Sequence, residues 1–103
     1  MVIMPTNTEK LFNAATTLVH ERGVVYGHAI YNMQRISKSV SAYIDFPIMP
    51  HDVPIINVLQ KISRLAESPG HEDSIVDIIA YMAIYKMCID AETDGEFEFR
   101  EGE

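Results

Sequence analysis

The sequence predicts an all-α protein: a four-helix bundle-like single domain followed by an acidic C-terminal tail. Apolar residues recur at three- and four-residue spacing through four segments, which is the period of an α-helix. Capping residues, glycines and prolines separate the segments, and 103 residues with 48% hydrophobic content suit one folded domain. We therefore expect a helical domain over residues 1–91 and a tail over residues 92–103.

The first two helices are predicted from capping signals and apolar spacing. Thr6 and Glu9 form a capping-box pattern, and Gly23 suits a left-handed C-cap, so helix one is predicted at about 7–22. A second apolar series predicts helix two at about 28–44. The positions of helix two that we expect to face outward are Gln34, Lys38 and Ser41.

Prolines define the start of the third helix. The segment 46–50 contains two prolines and cannot continue helix two, because proline has no backbone N–H donor. Pro54 is compatible with the first turn of a helix, where N–H groups have no partner within the helix. Helix three is therefore predicted from His51 or Asp52 to about Glu67.

The fourth helix is predicted to start near Glu72 and is apolar almost all the way round from Ile75 to Ile89. A helix without a polar face must be covered on every side, either by the other three helices or in part by a second copy of the chain. A domain of this size buries only about two-thirds of its unfolded surface. We therefore expect a homodimer.

The formal net charge of −7 is concentrated in the tail, where residues 92–103 carry −5 and the rest of the chain carries −2. Without a surplus of basic residues, duplex DNA is not an expected partner. The single Cys88 excludes an intramolecular disulfide, and no Cys/His spacing suits structural zinc. No segment has the features of a signal peptide or a membrane span, so we expect a protein of the cytoplasm, that of the host cell if a phage encodes it.

Polar residues form one stripe on each of the last two predicted helices. The stripe on helix three consists of Asn57, Lys61 and Arg64, and the stripe on helix four consists of Asp73, Asp77 and Tyr81. The connection between these helices is short, which predicts antiparallel neighbours with the two stripes facing each other.

Two interpretations of the facing stripes remain open. In one, an ion-pair ladder neutralises Asp77 within an apolar helix, because a buried charge is costly unless it is paired. In the other, the stripes line a cleft for a phosphate-bearing ligand such as a nucleotide. Lys61 and Arg64 would then bind phosphate, and Asp73 and Asp77 would bind Mg²⁺ as oxygen ligands.

Three further residues flank the stripes. His71 and Ser74 lie at the start of helix four, either as capping and first-turn residues or as contacts to a ligand phosphate. Tyr26 precedes Gly27 in a predicted turn, and could also lean over the mouth of the cleft.

The same residues carry a resemblance to a family of small proteins of unknown function encoded by phages and prophages. The pattern covers about residues 8–90 and consists of Tyr26-Gly27, Asn32, Lys61-Ile62-Ser63-Arg64-Leu65, His71-Glu72-Asp73-Ser74-Ile75-Val76-Asp77 and Tyr81. The family usually lacks a proline at the position of Pro54. The resemblance implies a phage or mobile-element origin, without a settled activity.

The chain also resembles, more distantly, the all-α nucleotide pyrophosphohydrolases of the MazG type. The likeness rests on a short helical bundle that dimerises and on the acidic segment 72–77 followed by an apolar run. That group has an earlier pair of glutamates where this chain has Lys61 and Arg64. The resemblance therefore implies nucleotide binding without turnover as readily as hydrolysis.

Two functional hypotheses follow. The first is a protein that binds a nucleotide or another phosphate-bearing ligand between helices three and four, with Mg²⁺ as an accompanying ion. The second is a non-catalytic phage accessory protein that binds or inhibits a host protein through an apolar face or through the tail with Phe97 and Phe99.

Overall fold

A computed structural model describes residues 6–95 except Gly27, and the backbone but not the side chain of Tyr26. The described residues form four α-helices in the order that the sequence predicts, with no strand among them. The predicted all-α fold class is confirmed. Residues 96–103 lie outside the described part, so the prediction of a separate tail stays untested.

Helix α1 spans Asn7–Tyr26. The predicted cap at its start is confirmed, because the Thr6 hydroxyl oxygen accepts a hydrogen bond from the Glu9 N–H at 3.1 Å. The predicted end at Gly23 is wrong, since the helix continues through this residue. Gly23 does not have the positive φ of a left-handed cap, and residues 24 and 25 continue the helix as exposed valines.

Helix α2 spans Ala29–Ile44, with His28 as its N-cap. It ends at Asp45, which adopts the left-handed conformation with φ 53°. The expectation that Gln34 faces outward is wrong, because Gln34 is buried on the same side of the helix as Ile30 and Met33. Gln34 follows Ile30 by four residues, so the two lie on one face, and the face buried by packing is wider than its apolar residues indicate.

Helix α3 spans Asp52–Glu67, as predicted, with Pro54 in its first turn. Helix α4 spans Glu72–Thr93 and continues two residues past the predicted domain boundary at residue 91. The described part of the chain contains no helix that is both long enough and apolar enough to cross a membrane.

Helix α4 is the centre of the fold, because each of the other three helices packs against it. Its buried residues recur mainly at four-residue spacing, and several of them are small enough to allow close helix packing. They contribute to two core clusters, one with α2 and α3 and one with α1. The buried residues of α4 are Ser74, Val76, Ala80, Ile84, Cys88 and Ala91.

Helices α3 and α4 are antiparallel, as the short connection predicts. At the far end of the pair, His51 at the start of α3 hydrogen-bonds Glu92 near the end of α4, with Nδ1 at 2.8 Å from Oε2. The His51 ring also meets Tyr85 edge-on. The antiparallel packing of α3 and α4 determines which polar residues of one helix lie next to those of the other.

Candidate functional site

The carboxylate of Asp77 lies at the centre of a polar cluster within the bundle. Its Oδ2 is 2.8 Å from Lys61 Nζ, and its Oδ1 accepts a hydrogen bond from Arg22 Nη2 at 3.3 Å. The side chains of Asp77 and Lys61 are only 13% and 15% exposed, whereas that of Arg22 is 33% exposed. The buried charge of Asp77 is therefore compensated by two cations from two different helices.

Arg22 is a site residue that the sequence stripes did not indicate. Its guanidinium carbon lies 5.3 Å from the centre of the Tyr81 ring, within the range of a cation–π contact. A signal was present, because Arg22 continues the core-facing series of Ala15 and Val19 at helical spacing. A basic residue on a face that is otherwise apolar is a candidate for a buried contact or a ligand contact.

A cavity of about 330 Å³ opens between the four helices beside this cluster. Apolar residues from α1, α2 and α4 form much of its wall. Its polar lining residues are Arg22, Asn32, Asn57 and Tyr81. Among the described residues that line it, Arg22 is the one with a formal charge.

The two asparagines in the cavity wall have unused hydrogen-bonding capacity. Asn32 and Asn57 are both half-buried, and no described residue donates to or accepts from either side-chain amide. Each amide offers one acceptor oxygen and two N–H donors. Both residues keep part of their surface accessible to solvent, so water can satisfy these amides, and a ligand with matching polar groups can replace that water.

His71 and Ser74 form a cap at the start of α4 and do not line the central cavity. His71 Nδ1 accepts a hydrogen bond from the Ser74 backbone N–H at 3.3 Å and lies 2.7 Å from the Ser74 hydroxyl oxygen. Ser74 lies in the first turn of α4 and is fully buried. The capping interpretation of His71 is the one that this geometry supports.

Arg64 and Asp73 lie apart from the cluster. Arg64 is exposed in the last turn of α3, and it makes no ion pair with any described residue. The buried stripe of α3 passes through Val58, Lys61 and Leu65, which turns Arg64 away from α4. Of the two predicted cations, the structure therefore brings only Lys61 to Asp77.

Asp73 and Asp77 line a second, more open cavity of about 490 Å³ between α1 and α4, together with Glu21 and Arg22. Both oxygens of Asp77 face cations, and Asp73 is exposed. The described residues contain no group of three or more His, Cys, Asp or Glu side chains that could hold a metal ion. Tyr26, another predicted site residue, has its side chain outside the described part.

Fold and site together define a small all-α protein with a polar cavity between its helices. Residues 9–89 match the family described as "Domain of unknown function (DUF6378)", and the chain belongs to that family. The match agrees closely with the range of about 8–90 that carries the sequence resemblance.

Two curated relatives come from mycobacteriophages. The Gene 55 protein of Mycobacterium phage D29 is 30% identical over 90 residues, which are 86% of this chain and 60% of that protein. The Gene 55 protein of Mycobacterium phage L5 is 33% identical over 82 residues, which are 77% of this chain and 47% of that protein. The chain thus spans about half of the length of these relatives. No solved structure matches it.

These similarities confirm the coarser of the two resemblances, that to a phage-encoded family of unknown function. Both relatives are phage proteins, and neither their names nor the family description states a ligand, a reaction or a partner.

Proposed function

We propose that this chain is a phage-type small helical protein that binds a nucleotide or another phosphate-bearing small ligand in the central cavity. The observation that carries the proposal is the pair of half-buried amides, Asn32 and Asn57, without partners among the described residues. Neither amide stabilises the fold through a hydrogen bond to a described residue. Both are available to a molecule that enters the cavity.

The cavity offers the mixture of surfaces that a nucleotide requires. Asparagine amides pair with the donor and acceptor edges of a base, as they do in nucleic-acid recognition. The guanidinium of Arg22 suits a phosphate group. The apolar wall accommodates the faces of a flat ring, and the volume of about 330 Å³ lies at the small end of the range for ligand cavities.

The proposed site differs in location from the cleft between helices three and four that the sequence favours. Asn57 and Tyr81 belong to both sites, whereas Lys61 does not line the central cavity and is paired with Asp77. The ion-pair interpretation and the ligand interpretation are therefore compatible. Asp77 is neutralised within the fold, and its neighbours form the cavity.

The accompanying Mg²⁺ stays a proposal, and the described side chains do not fit a dedicated protein cage for it. The oxygens of Asp77 are engaged by Lys61 and Arg22, and Asp73 alone is a single exposed carboxylate. Mg²⁺ would have to arrive with the phosphates of the ligand. A MazG-like hydrolysis requires a larger number of carboxylate side chains around the metal ion than this cluster offers. We therefore propose binding alone.

Titration of the purified protein with nucleosides and with nucleoside mono-, di- and triphosphates, each with and without Mg²⁺, tests the proposal. A ligand at 100 times its Kd stabilises the folded state by about 2.7 kcal/mol, which a thermal-shift assay detects. We expect a positive shift with at least one class of nucleotide. The absence of a shift with every compound would contradict the proposal.

Alanine variants of the cavity amides assign the binding to this site. Asn57→Ala and Asn32→Ala should weaken binding about tenfold or more, since each removes hydrogen bonds made only to the ligand. The free energy of unfolding of the ligand-free protein should change by less than about 1 kcal/mol, because no described partner is lost. Asn13→Ala, at an exposed position of α1, is the matched control. Equal effects of all three variants on affinity would exclude the cavity as the site.

Binding to a host protein is the alternative that one feature of α3 favours. Ile56, Leu59 and Ile62 are exposed on this helix, and exposed apolar side chains are characteristic of protein-binding surfaces when they form a patch. This alternative predicts that titration with nucleosides and nucleotides gives no binding.

A further inference from the structure

The central cavity and the neighbouring open cavity share Arg22 but differ in charge. Arg22 is the one formally charged side chain among the described residues that line the central cavity. The open cavity on its other side is lined by Glu21, Asp73 and Asp77 as well. An anionic group in the central cavity would therefore meet a single cation, while the open cavity repels anions.

The two cations that contact Asp77 differ in their availability. Lys61 is close to the carboxylate at 2.8 Å, is largely shielded from solvent and does not line the central cavity. Arg22 is farther away at 3.3 Å, is more exposed and lines both cavities. Lys61 is the nearer counter-ion of Asp77, so Arg22 is the cation of the two that can share its positive charge with a bound anion.

The guanidinium of Arg22 also has hydrogen-bonding capacity to spare. It carries five N–H donors in a planar fork. Among the described residues, Asp77 accepts one hydrogen bond from this side chain, donated by Nη2. The guanidinium also lies over the face of the Tyr81 ring, which is a cation–π contact and not a hydrogen bond to an acceptor atom. Such a fork is suited to two parallel hydrogen bonds with one phosphate.

We infer that the ligand of the central cavity is a nucleoside monophosphate, whose one phosphate is bound by Arg22 without a metal ion, and that Lys61 is a counter-ion of Asp77 that does not touch the ligand. The inference rests on the proposed function and narrows it to a ligand class. A triphosphate would need several cations or Mg²⁺, whereas this cavity offers one guanidinium. The small volume of about 330 Å³ favours the same class.

Isothermal titration of the whole chain with a nucleoside and its mono-, di- and triphosphate tests the inference. We expect the monophosphate to bind at least tenfold more tightly than the nucleoside, since a charge-assisted bidentate contact contributes about tenfold to hundredfold in affinity. The affinity for the monophosphate should be the same with and without Mg²⁺. Tightest binding by a triphosphate, or binding that depends on Mg²⁺, would overturn the inference.

Arginine variants assign the phosphate contact. Arg22→Gln should reduce the preference for monophosphate over nucleoside to about twofold or less, because glutamine carries no charge. Arg64→Gln, the same substitution at an exposed arginine outside both cavities, should leave that preference unchanged. Equal loss of preference in the two variants would overturn the assignment. If Arg22→Gln does not fold, Arg22→Lys keeps the charge and should bind the monophosphate with reduced affinity, because the planar fork is lost. Unchanged affinity in that variant would also contradict the inference.

The failure of this inference can be told apart from that of the proposed function. If the wild-type chain binds nucleosides and nucleotides equally well, the site exists but Arg22 does not bind phosphate. If the wild-type chain binds none of these compounds, nucleotide binding as the proposed function fails and the inference fails with it.

Discussion

Burial changes the acid–base chemistry of Cys88 in α4. The residue has no exposed surface and belongs to the core cluster with Ile84 and Ala91. Removal from water raises the pKa of its thiol from 9.0 to about 12, and the negative charge of Glu92 acts in the same direction. The thiolate is the reactive form of cysteine, so the native protein holds this residue in an unreactive state.

We predict that Cys88 is protected from thiol reagents in the native state and reacts fully after denaturation. A thiol-labelling assay with and without denaturant measures this difference. Rapid labelling of the native chain at neutral pH would contradict the burial of this residue.

The same pKa shift predicts how stability depends on pH. Between pH 9 and about 12 the unfolded chain releases the Cys88 proton while the folded chain retains it. The contribution of this thiol to stability is complete below pH 9 and is lost as the pH rises toward 12. The free energies of unfolding of the wild type and of Cys88→Ala, measured by chemical denaturation across this pH range, should therefore converge as the pH rises. A constant difference between the two free energies would show that the pKa of the thiol is not raised.

The residue patterns bring Lys61 within reach of Asp77, but they do not indicate the second cation that contacts this carboxylate. Lys61 and Asp77 belong to helices joined by a short connection, so helical spacing suffices to bring them together. Arg22 and Asp77 are 55 residues apart, and their contact depends on how α1 lies against α4. Spacing within one helix does not contain that information.

At the scale of the helices, α1 shows how weak a stop signal one glycine is. The helix passes through Gly23 because nothing blocks its continuation, although glycine in a helix interior costs about 1 kcal/mol relative to alanine. A Cβ added at Gly23 would meet no atom within 4 Å. The position is therefore compatible with a side chain in both conformation and space.

We predict that Gly23→Ala stabilises the protein by about 0.5–1 kcal/mol, by restricting the unfolded chain and supporting the helix. Chemical denaturation measures the change in the free energy of unfolding. Gly70→Ala, in the turn between α3 and α4, is the control for an added methyl group outside a helix, because a Cβ there also meets nothing within 4 Å. A loss of stability in Gly23→Ala would show that the helix does not continue through this residue.

At the scale of the whole molecule, the expected homodimer stays a prediction, and we expect its interface on the exposed side of α4. An apolar groove of about 440 Å³ runs between α1 and α4, and no charged side chain is among the described residues that line it. Phe12 and Met82 in this groove are 55% and 42% exposed. Two copies with a net charge of −7 each can approach with the least repulsion through an uncharged face.

We predict that Phe12→Glu keeps the chain monomeric, because it places a charge in the apolar interface. Light scattering over a range of concentrations should give twice the chain mass of 11.6 kDa for the wild type and the single chain mass for the variant. Phe46→Glu, at an exposed position in the connection after α2, should still dimerise. A wild-type mass that stays at 11.6 kDa at every concentration would contradict the dimer.

The amino-acid sequence by itself determined the four helices, the antiparallel pairing of α3 with α4 and the placement of Lys61 and Asp77 on facing stripes. These features depend on local signals, namely apolar period, proline position and a short connection. Only the tertiary structure decided that Arg22, Asn32 and Asn57 line one cavity while Arg64 lies outside it. The helical period states which residues share a face of one helix, but the packing of whole helices decides which faces meet.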